Sequence, residues 1–505
     1  MSAFRGLQER LGPVLALNVE GSTVEHVVVA LPSHSMPETL LSHHVSLLGA
    51  LEHRFLLGSL QTARVPGVQV VVVTSAAPSP VVLDYYARLA RPDDPQGARE
   101  RMSCLVVPDD SARGVSAKLL GRPDLLAQLR QRIGGRPAVI EPWNVTSDEV
   151  TVALALDTPV NGTPPHLWPL GFKSASRRLF REAGIPIPAG VEDVHDAVEV
   201  AAAIHAIRRN RRELDDVVIK LDNSGSGEGN WVMSTRDDAG DELRPSQLSS
   251  RVEEDAPEWF LADLALGGVV EELVTGQVVT SPSAQAEIRP DGQVVLLATH
   301  EQILGGENGH VFTGSRFPAA PSYAVELGDH VIAAAQLLAR AGAVGWVAVD
   351  FVAERRDDGW RVLAVDLNLR KGGTTHPYTA LRHLVPGAYD VETAHWVADR
   401  DGASRSYRSS DTVGTPRWLG MRPERAISSL EGAGLAFDHT TGTGVILHMF
   451  SALDRDGTVG VTAIGRTMEE AEQLYDAVPG ALDAGVGALP AHTGAAPGAA
   501  GGAPE

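Results

Sequence analysis

The sequence predicts an α/β protein that begins with a doubly wound α/β domain and ends with a small α+β module. Three observations carry this reading. From Met1 to about Trp143, apolar β-rich runs alternate with helix-period segments, the pattern of an open and mostly parallel sheet. Gly345 to Pro377, GWVAVDFVAERRDDGWRVLAVDLNLRKGGTTHP, reads as two strands around the polar turn Asp357-Asp358-Gly359. Two further strand patterns and a helix pattern then close the chain ahead of a tail rich in Ala, Gly and Pro.

Composition narrows the function. A chain of 505 residues is long enough for two to four domains. Its net charge of -21 argues against sequence-independent nucleic-acid binding. Cys104 is the single cysteine, which excludes an internal disulfide and a thiolate metal cage. No leader pattern opens the chain and no apolar run reaches membrane-spanning length, so the expectation is a cytoplasmic protein with no membrane partner. Basic residues number 43, yet lysine stands only at Lys118, Lys173, Lys220 and Lys371. Where arginine is used almost everywhere, a retained lysine suggests a place that needs a compact ammonium. Three of the four lie beside the motifs below; Lys118 reads as a surface residue.

In chain order, strands are expected at Pro13–Val19, Val24–Leu31, Val68–Thr74, Ser103–Val107 and Pro137–Glu141. Helices are expected at Leu47–Leu57, Val81–Ala90 and Leu119–Ile133. No Gly-x-Gly-x-x-Gly opens the first helix, so a dinucleotide role is not expected. Asn161–Leu170 reads as a linker. Helix Phe172–Ala183 follows, ended by Gly184, and then helix His195–Arg212. Asp216–Leu221 and Trp231–Ser234 read as strands around a glycine-rich turn. Val269–Val274 and Gln277–Ser281 read as neighbouring strands, and Ala284–His300 as a hairpin. Helix Tyr323–Ala341 leads into the long hairpin. Beyond Pro377, a helical patch to Trp396 and a loop holding Arg405 and Arg408 precede strands at Gly444–Leu453 and Thr458–Gly465. Helix Met468–Ala477 ends the folded part, and the tail from Ala484 is expected to be disordered.

The chemistry concentrates in three stretches. On the hairpin, alternation places Asp366, Asn368 and Arg370 on one face, and a turn near Asp358 sets Asp350 about opposite Asp366. Two carboxylates, an amide oxygen and a guanidinium suit Mg²⁺ and a phosphate held by it, although a solvated polar face has the same alternation. Val217–Trp231 is a buried strand ending in Lys220, then Gly225, Ser226, Gly227, Glu228 and Gly229. Such glycines let backbone N–H groups close over phosphate oxygens. Taken alone, this stretch is equally a plain flexible turn. Glu271, Glu272, Leu273 and Val274 form an apolar strand interrupted by acids; it suits adenine and ribose, or an exposed strand end. Lys173 opens a helix and reads as a second ammonium or a solvated helix end.

In this order, Lys173 with GIPIP, Lys220 with its glycine loop, EELVTG, and Asp350 with Asp366-x-Asn368-x-Arg370 resemble the ATP-grasp ligases. The resemblance runs from about Leu170 to Pro377. The flanking sheet and the GTGVILHM…GVTAIGRTMEEAEQLY module extend it toward the peptide-ligase branch of natural-product assembly, of the pheganomycin type. It implies a central ATP-grasp fold of two α+β subdomains. The chain then divides into 1–160, a pre-ATP-grasp domain; 161–390, with a lid-bearing part 161–265 and a metal and ATP part 266–390; module 391–483; and tail 484–505. The implied cofactors are ATP and Mg²⁺, the latter on Asp350, Asp366 and Asn368. Arg370 and Arg316 would act on the acyl-phosphate. Gly372, Gly373 and His376 would bind substrate, with Lys173, Lys220, Gly225–Gly229 and Glu271–Val274 around the nucleotide. The implied partners are a small amino-acid-like carboxylate, a peptide amine and a second copy in a homodimer. One departure is Asp350, where relatives often carry Glu. A nucleotide-binding module without turnover and a small-molecule kinase are the rival readings.

Overall fold

Valine builds the first sheet. β1 (His26–Leu31), β2 (Val68–Thr74), β3 (Met102–Val106) and β4 (Ala138–Pro142) pair in parallel in the order β3-β2-β1-β4. Every residue of β1 is buried, because a parallel strand covered on both faces has no polar side. The computed structural model describes residues 2–36, 38–42, 45–211, 214–224, 229–305 and 311–486. Strand order reverses between β1 and β4, and ligands of open α/β sheets bind at the carboxyl ends of strands at such a switch point.

A second, antiparallel sheet runs β5-β8-β6-β7, from β5 (Gly190–Val194), β6 (Asp216–Leu221), β7 (Asn230–Ser234) and β8 (Gly268–Glu272). Its core is shared with helices Ala197–Arg208 and Pro245–Asp255 through Val200, Ile204, Leu248 and Val252. At its centre Glu271 is 1% exposed and lies between the Arg177 guanidinium at 2.5 Å and the Lys220 ammonium at 2.5 Å. A buried carboxylate persists only with such partners.

The third sheet has ten strands. β9 (Val279–Ile288), β10 (Val294–Gly305), β11 (Val311–Phe317), β12 (Gly345–Arg356) and β13 (Gly359–Asn368) join β14 (Gly387–Asp390), β15 (His395–Ala398) and β16 (Ser404–Gly414) in the order β13-β12-β9-β10-β11-β16-β15-β14. β17 (Gly444–His448) and β18 (Thr458–Gly465) add on through β16. Helix Ala324–Ala341 packs its apolar side, including Leu327, Val331 and Leu338, onto this sheet. One core also joins the first sheet to the last strands: Val70 and Tyr86 share it with Val445, Ile446 and Phe450. Tyr85 and Tyr86 bind both backbone groups of Leu447, at 3.0 and 3.3 Å.

Several expectations are corrected. Pro13–Val19 is not a strand: Leu11–Leu15 is helical, since Pro13 sits in a first turn that needs no N–H there, and Leu11 and Val14 bury one face. Leu119–Ile133 is two helices, Val115–Leu120 and Pro123–Ile133, interrupted before Pro123. The segments read as neighbours at Val269–Val274 and Gln277–Ser281 belong to different sheets, with exposed residues 275–278 crossing between them. The helix after Gly373 stops at Leu384 before Pro386, and β14 and β15 follow where helix was expected. Arg405 and Arg408 lie on strand β16 rather than in a loop; Arg405 is buried on Asp401 and the Gly442 carbonyl. Helix Met468–Val486 runs past Ala484, and residues 487–505 lie outside the described residues. Lys118 is buried and donates to Ser75 Oγ at 3.0 Å.

Two stability outcomes follow from these contacts. Leu447→Ala, at a fully buried site, should lower unfolding free energy by about 2–5 kcal/mol in denaturant titration. Arg177→Met leaves Glu271 with one cation instead of two and should cost about 3–5 kcal/mol in the same assay. A change below about 1 kcal/mol in the second variant would show that Lys220 alone satisfies the buried carboxylate.

Candidate active site

The hairpin β12–β13 carries the centre of the site. From the turn, Arg356 pairs with Gly359, and an unbroken ladder would set Asp350 opposite Val365. A bulge between Asp350 and Phe351 on this pairing shifts the register by one, so that Asp350 pairs with Asp366. Asp350 Oδ1 accepts from Gln302 Nε2 of β10 at 2.6 Å, and Oδ2 accepts from Asn368 Nδ2 at 3.0 Å. Asp366 Oδ1 takes the Lys173 ammonium at 2.6 Å and the Leu367 N–H at 2.9 Å.

The two carboxylates are driven apart in acidity. Burial, then the Asp366 charge, pushes Asp350 up to about 6. Burial acts on Asp366 in the same direction, but Lys173, with its hydrogen bond, and the charges of Lys220 and Arg370 outweigh it and hold that carboxyl below its usual range. Arg370 lies with its guanidinium carbon 4.4 Å from the centre of the Trp143 ring and donates to the Lys371 carbonyl at 3.2 Å. Among the described residues it has no carboxylate at ion-pair distance. It is therefore a cation available to an anion in the cleft.

The opposite wall comes from the second sheet. Lys173 begins helix Lys173–Glu182, whose start is fastened to the end of β6: Lys173 N–H donates to the Asp222 carbonyl at 3.1 Å and Ser174 N–H to Asp222 Oδ1 at 2.8 Å. Lys173, Asp222 and Ser224 face Asp366, Asn368 and Arg370 across one cleft. Lys220 Nζ points the same way, 3.5 Å from the Val365 carbonyl. Gly225, Ser226, Gly227 and Glu228 lie outside the described residues. Gly229 is placed so that a Cβ would come within 2.3 Å of the Ser224 side chain.

Other expected residues are placed as follows. The Glu271 carboxylate is enclosed by Arg177 and Lys220, and Glu272 is held by Arg361 at 2.9 Å and the Ala189 N–H at 3.1 Å. Leu273 N–H donates to the Asp216 carbonyl at 3.1 Å, and Val274 is half-buried after the strand. Arg316 pairs with Glu472 of the last helix and, among the described residues, makes no contact with the hairpin carboxylates. Gly372 N–H donates to Thr375 Oγ1 at 2.9 Å, and at Gly373 a Cβ would meet the Phe312 ring at 2.5 Å. His376 is buried with its ring 5.0 Å from Phe55 and no partner on Nε2. His300 is a core histidine bonded to the Tyr407 hydroxyl at 2.7 Å.

Sequence reasoning missed Gln302 and Trp143. Gln302 lies on a strand whose pairing the sequence does not specify. Trp143 follows a strand of the first sheet, and only the switch-point rule points toward it. No group of three or more His, Cys, Asp or Glu side chains among the described residues is arranged to hold a metal ion by itself. The donor set is instead two carboxylates and one amide oxygen. That set fits Mg²⁺, which typically uses one or two carboxylates and completes its shell with water and phosphate oxygens.

The chain is similar to known proteins over most of its length. The family described as IQCH-like, ATP-grasp matches residues 255–392, and that described as the PGM1 C-terminal domain matches residues 425–478. The L-propargylglycine–L-glutamate ligase of Streptantibioticus cattleyicolor is 31% identical over 422 residues, covering 81% of this chain and 84% of that protein. The IQ motif-containing protein H of Danio rerio is 22% identical over 69% of this chain, which spans 38% of that protein. Among solved structures, an ADP complex of N5-carboxyaminoimidazole ribonucleotide synthetase superposes with TM-score 0.51 at 14% identity, over 92% of this chain and 99% of that one. The biotin carboxylase domain of Hydrogenobacter thermophilus 2-oxoglutarate carboxylase gives 0.52 at 13% identity, over 91% and 90%. These two share the fold. The extensive match to a ligase, together with the family match over residues 255–392, places this chain in the ATP-grasp family of ligases.

Proposed function

We propose that the protein is an ATP- and Mg²⁺-dependent carboxylate–amine ligase that makes a peptide bond through an acyl-phosphate. It would join an amino-acid-derived carboxylate to the amine of a second amino acid or the N-terminal amine of a peptide, in natural-product assembly. One observation carries this reading: Asp350, Asp366 and Asn368 come together on one hairpin, with Arg370 two residues beyond its end, opposite Lys173 and Lys220. A relative named for a ligation between two amino acids supports the reaction class.

Asp350, Asp366 and Asn368 would hold Mg²⁺, which in its bound form neutralises phosphate charge. Lys173 and Lys220 add point charges beside the phosphates. A carboxylate oxygen of the acid bonds to the γ-phosphorus as the bond to the β-phosphate oxygen breaks, and ADP leaves. The amine nitrogen then bonds to the acyl carbon, phosphate leaves with the C–O electron pair, and the amine gives up a proton. Arg370, without a carboxylate partner among the described residues, would donate to the oxygens that gain charge in both steps. Its stacking on Trp143 fixes the plane of the fork.

Incubation with ATP, MgCl₂ and a panel of amino acids, with and without amines, should release ADP and give products of summed mass less one water. A stable phosphorylated acid without coupling would mean a kinase. Tight ATP binding with no ADP under any pairing would mean a binding module. Asp366→Ala should reduce ADP formation below detection while ATP still binds weakly. Near-normal turnover in that variant would refute the metal assignment.

A further inference from the structure

A second polar cluster adjoins Arg370 through Trp143 and His34. Arg54 opens the 3₁₀ helix Arg54–Ala63 in the crossover from β1 to β2 and is 9% exposed. Its Nη1 donates to Asp411 Oδ2 at 2.8 Å. Its other contacts are at the limit of hydrogen bonding, Nη2 to His34 Nε2 at 3.5 Å and Nε to the Leu51 carbonyl at 3.5 Å. A guanidinium binds carboxylate most strongly through two parallel N–H groups, and among the described residues only one here is well used.

His34 follows β1 with φ of 40°, a left-handed backbone that a histidine adopts at a cost. Its ring stacks on Trp143 at 4.9 Å, and Trp143 also carries Arg370. These residues lie at the carboxyl ends of β1 and β4, where strand order reverses. Two buried ring nitrogens nearby, His376 Nε2 and His448 Nδ1, have no hydrogen-bond partner among the described residues. His448 Nδ1 stands 3.7 Å from Asp411 Oδ1. Buried polar atoms without partners are rare, and each calls for an explanation such as strain, a functional role, a water or an ion. Asp411 sits where the register of β16 against β18 shifts between Ser410 and Val413, a bulge of the kind that re-aims a side chain. Gly460 faces His448, and a Cβ there would come within 2.0 Å of that ring.

Resting on the ligase reading above, we propose that Arg54 anchors a free carboxylate of the amine-bearing substrate, which is therefore an amino acid with its α-carboxylate unblocked. Asp411 is a positioning residue that holds the fork. Arg54 and Arg370 flank the His34–Trp143 stack. A carboxylate on Arg54 leaves the α-amine, two bonds away, to face the acyl carbon held by Arg370. A carboxylate belonging to the acyl donor is the other source of such an anion, and kinetics separates the two.

The test uses the full chain with ATP, MgCl₂ and amino acids as acyl donors. Each amine substrate is offered as free acid and as α-amide, with hydroxylamine as an amine that has no carboxylate. Wild type should form hydroxamate and prefer the free acid over its amide by about a hundredfold or more in kcat/KM. In Arg54→Ala the KM of the amine substrate should rise about 10- to 100-fold and the preference for acid over amide should collapse, while hydroxamate formation falls far less. Arg54→Lys should restore part of the preference. Equal use of acid and amide by wild type would overturn the anchor, and so would a preference that survives Arg54→Ala, or a rise confined to the KM of the acyl donor. The acid–amide comparison in wild type stands even where Arg54→Ala does not fold. No hydroxamate from wild type with any acid would sink the ligase reading, and the anchor with it.

Discussion

Two carboxylates directly opposed across one antiparallel pair set the terms for the rest of the site. Like charges at opposed positions repel, and half-burial strengthens the repulsion. Asp350 answers by a raised pKa and by accepting from two amides, Gln302 and Asn368. Asp366 answers by recruiting the Lys173 ammonium from the second sheet. The contact between hairpin and second sheet is thus partly electrostatic. A cation that replaced Lys173 at Asp366 would loosen it, whereas phosphates between the two walls would attract Lys173 and Lys220 together. Nucleotide bound at the proposed site would therefore act on the contact between the two walls through the same charges.

A different contact fixes the far side. The first sheet and the last strands share one core, with both backbone groups of Leu447 bound by tyrosines from helix Pro80–Ala90. Arg54 and Asp411, 357 residues apart in sequence, consequently meet at a fixed distance. Packing sets that wall and charge sets the other. A site with one rigid wall and one electrostatically tethered wall can admit substrates and still hold the reacting groups in line.

Legibility in the sequence followed the range of the interaction. Asp350 opposite Asp366 was readable because a short turn limits the register, although the bulge that brings the pair into line was not. The pairing of β8 and β9 into different sheets was invisible, since a period of two says which face a side chain takes and not which strand lies beside it. The paired acids Glu271 and Glu272 read as offering a carboxylate to ribose because an acid in an apolar strand invites a partner; in the fold Glu271 is partnered by Arg177 and Lys220, brought from two other elements. Arg54, His34 and Asp411 carry no motif at all. Their meeting depends on the fold of the whole chain.

The lysines show how far composition can be taken. All four are buried: Lys118 at 2%, Lys173 at 6%, Lys220 at 7% and Lys371 at 9% exposure. Lys173 binds Asp366, Lys220 binds Glu271 and Lys371 binds Glu141 at 2.6 Å, while Lys118 donates to Ser75 beside the buried Glu52. The long exposed cations of this protein are therefore arginines. A guanidinium needs a planar slot and brings five donors that must each be satisfied when buried, whereas an ammonium is compact and brings three. At a confined place that requires positive charge, the smaller head leaves fewer unmet donors. Reading Lys118 as a surface residue failed because it treated one lysine as an exception to a rule that the composition had already stated. In an arginine-rich chain, each remaining lysine marks an interior site where a point charge fits and a fork does not.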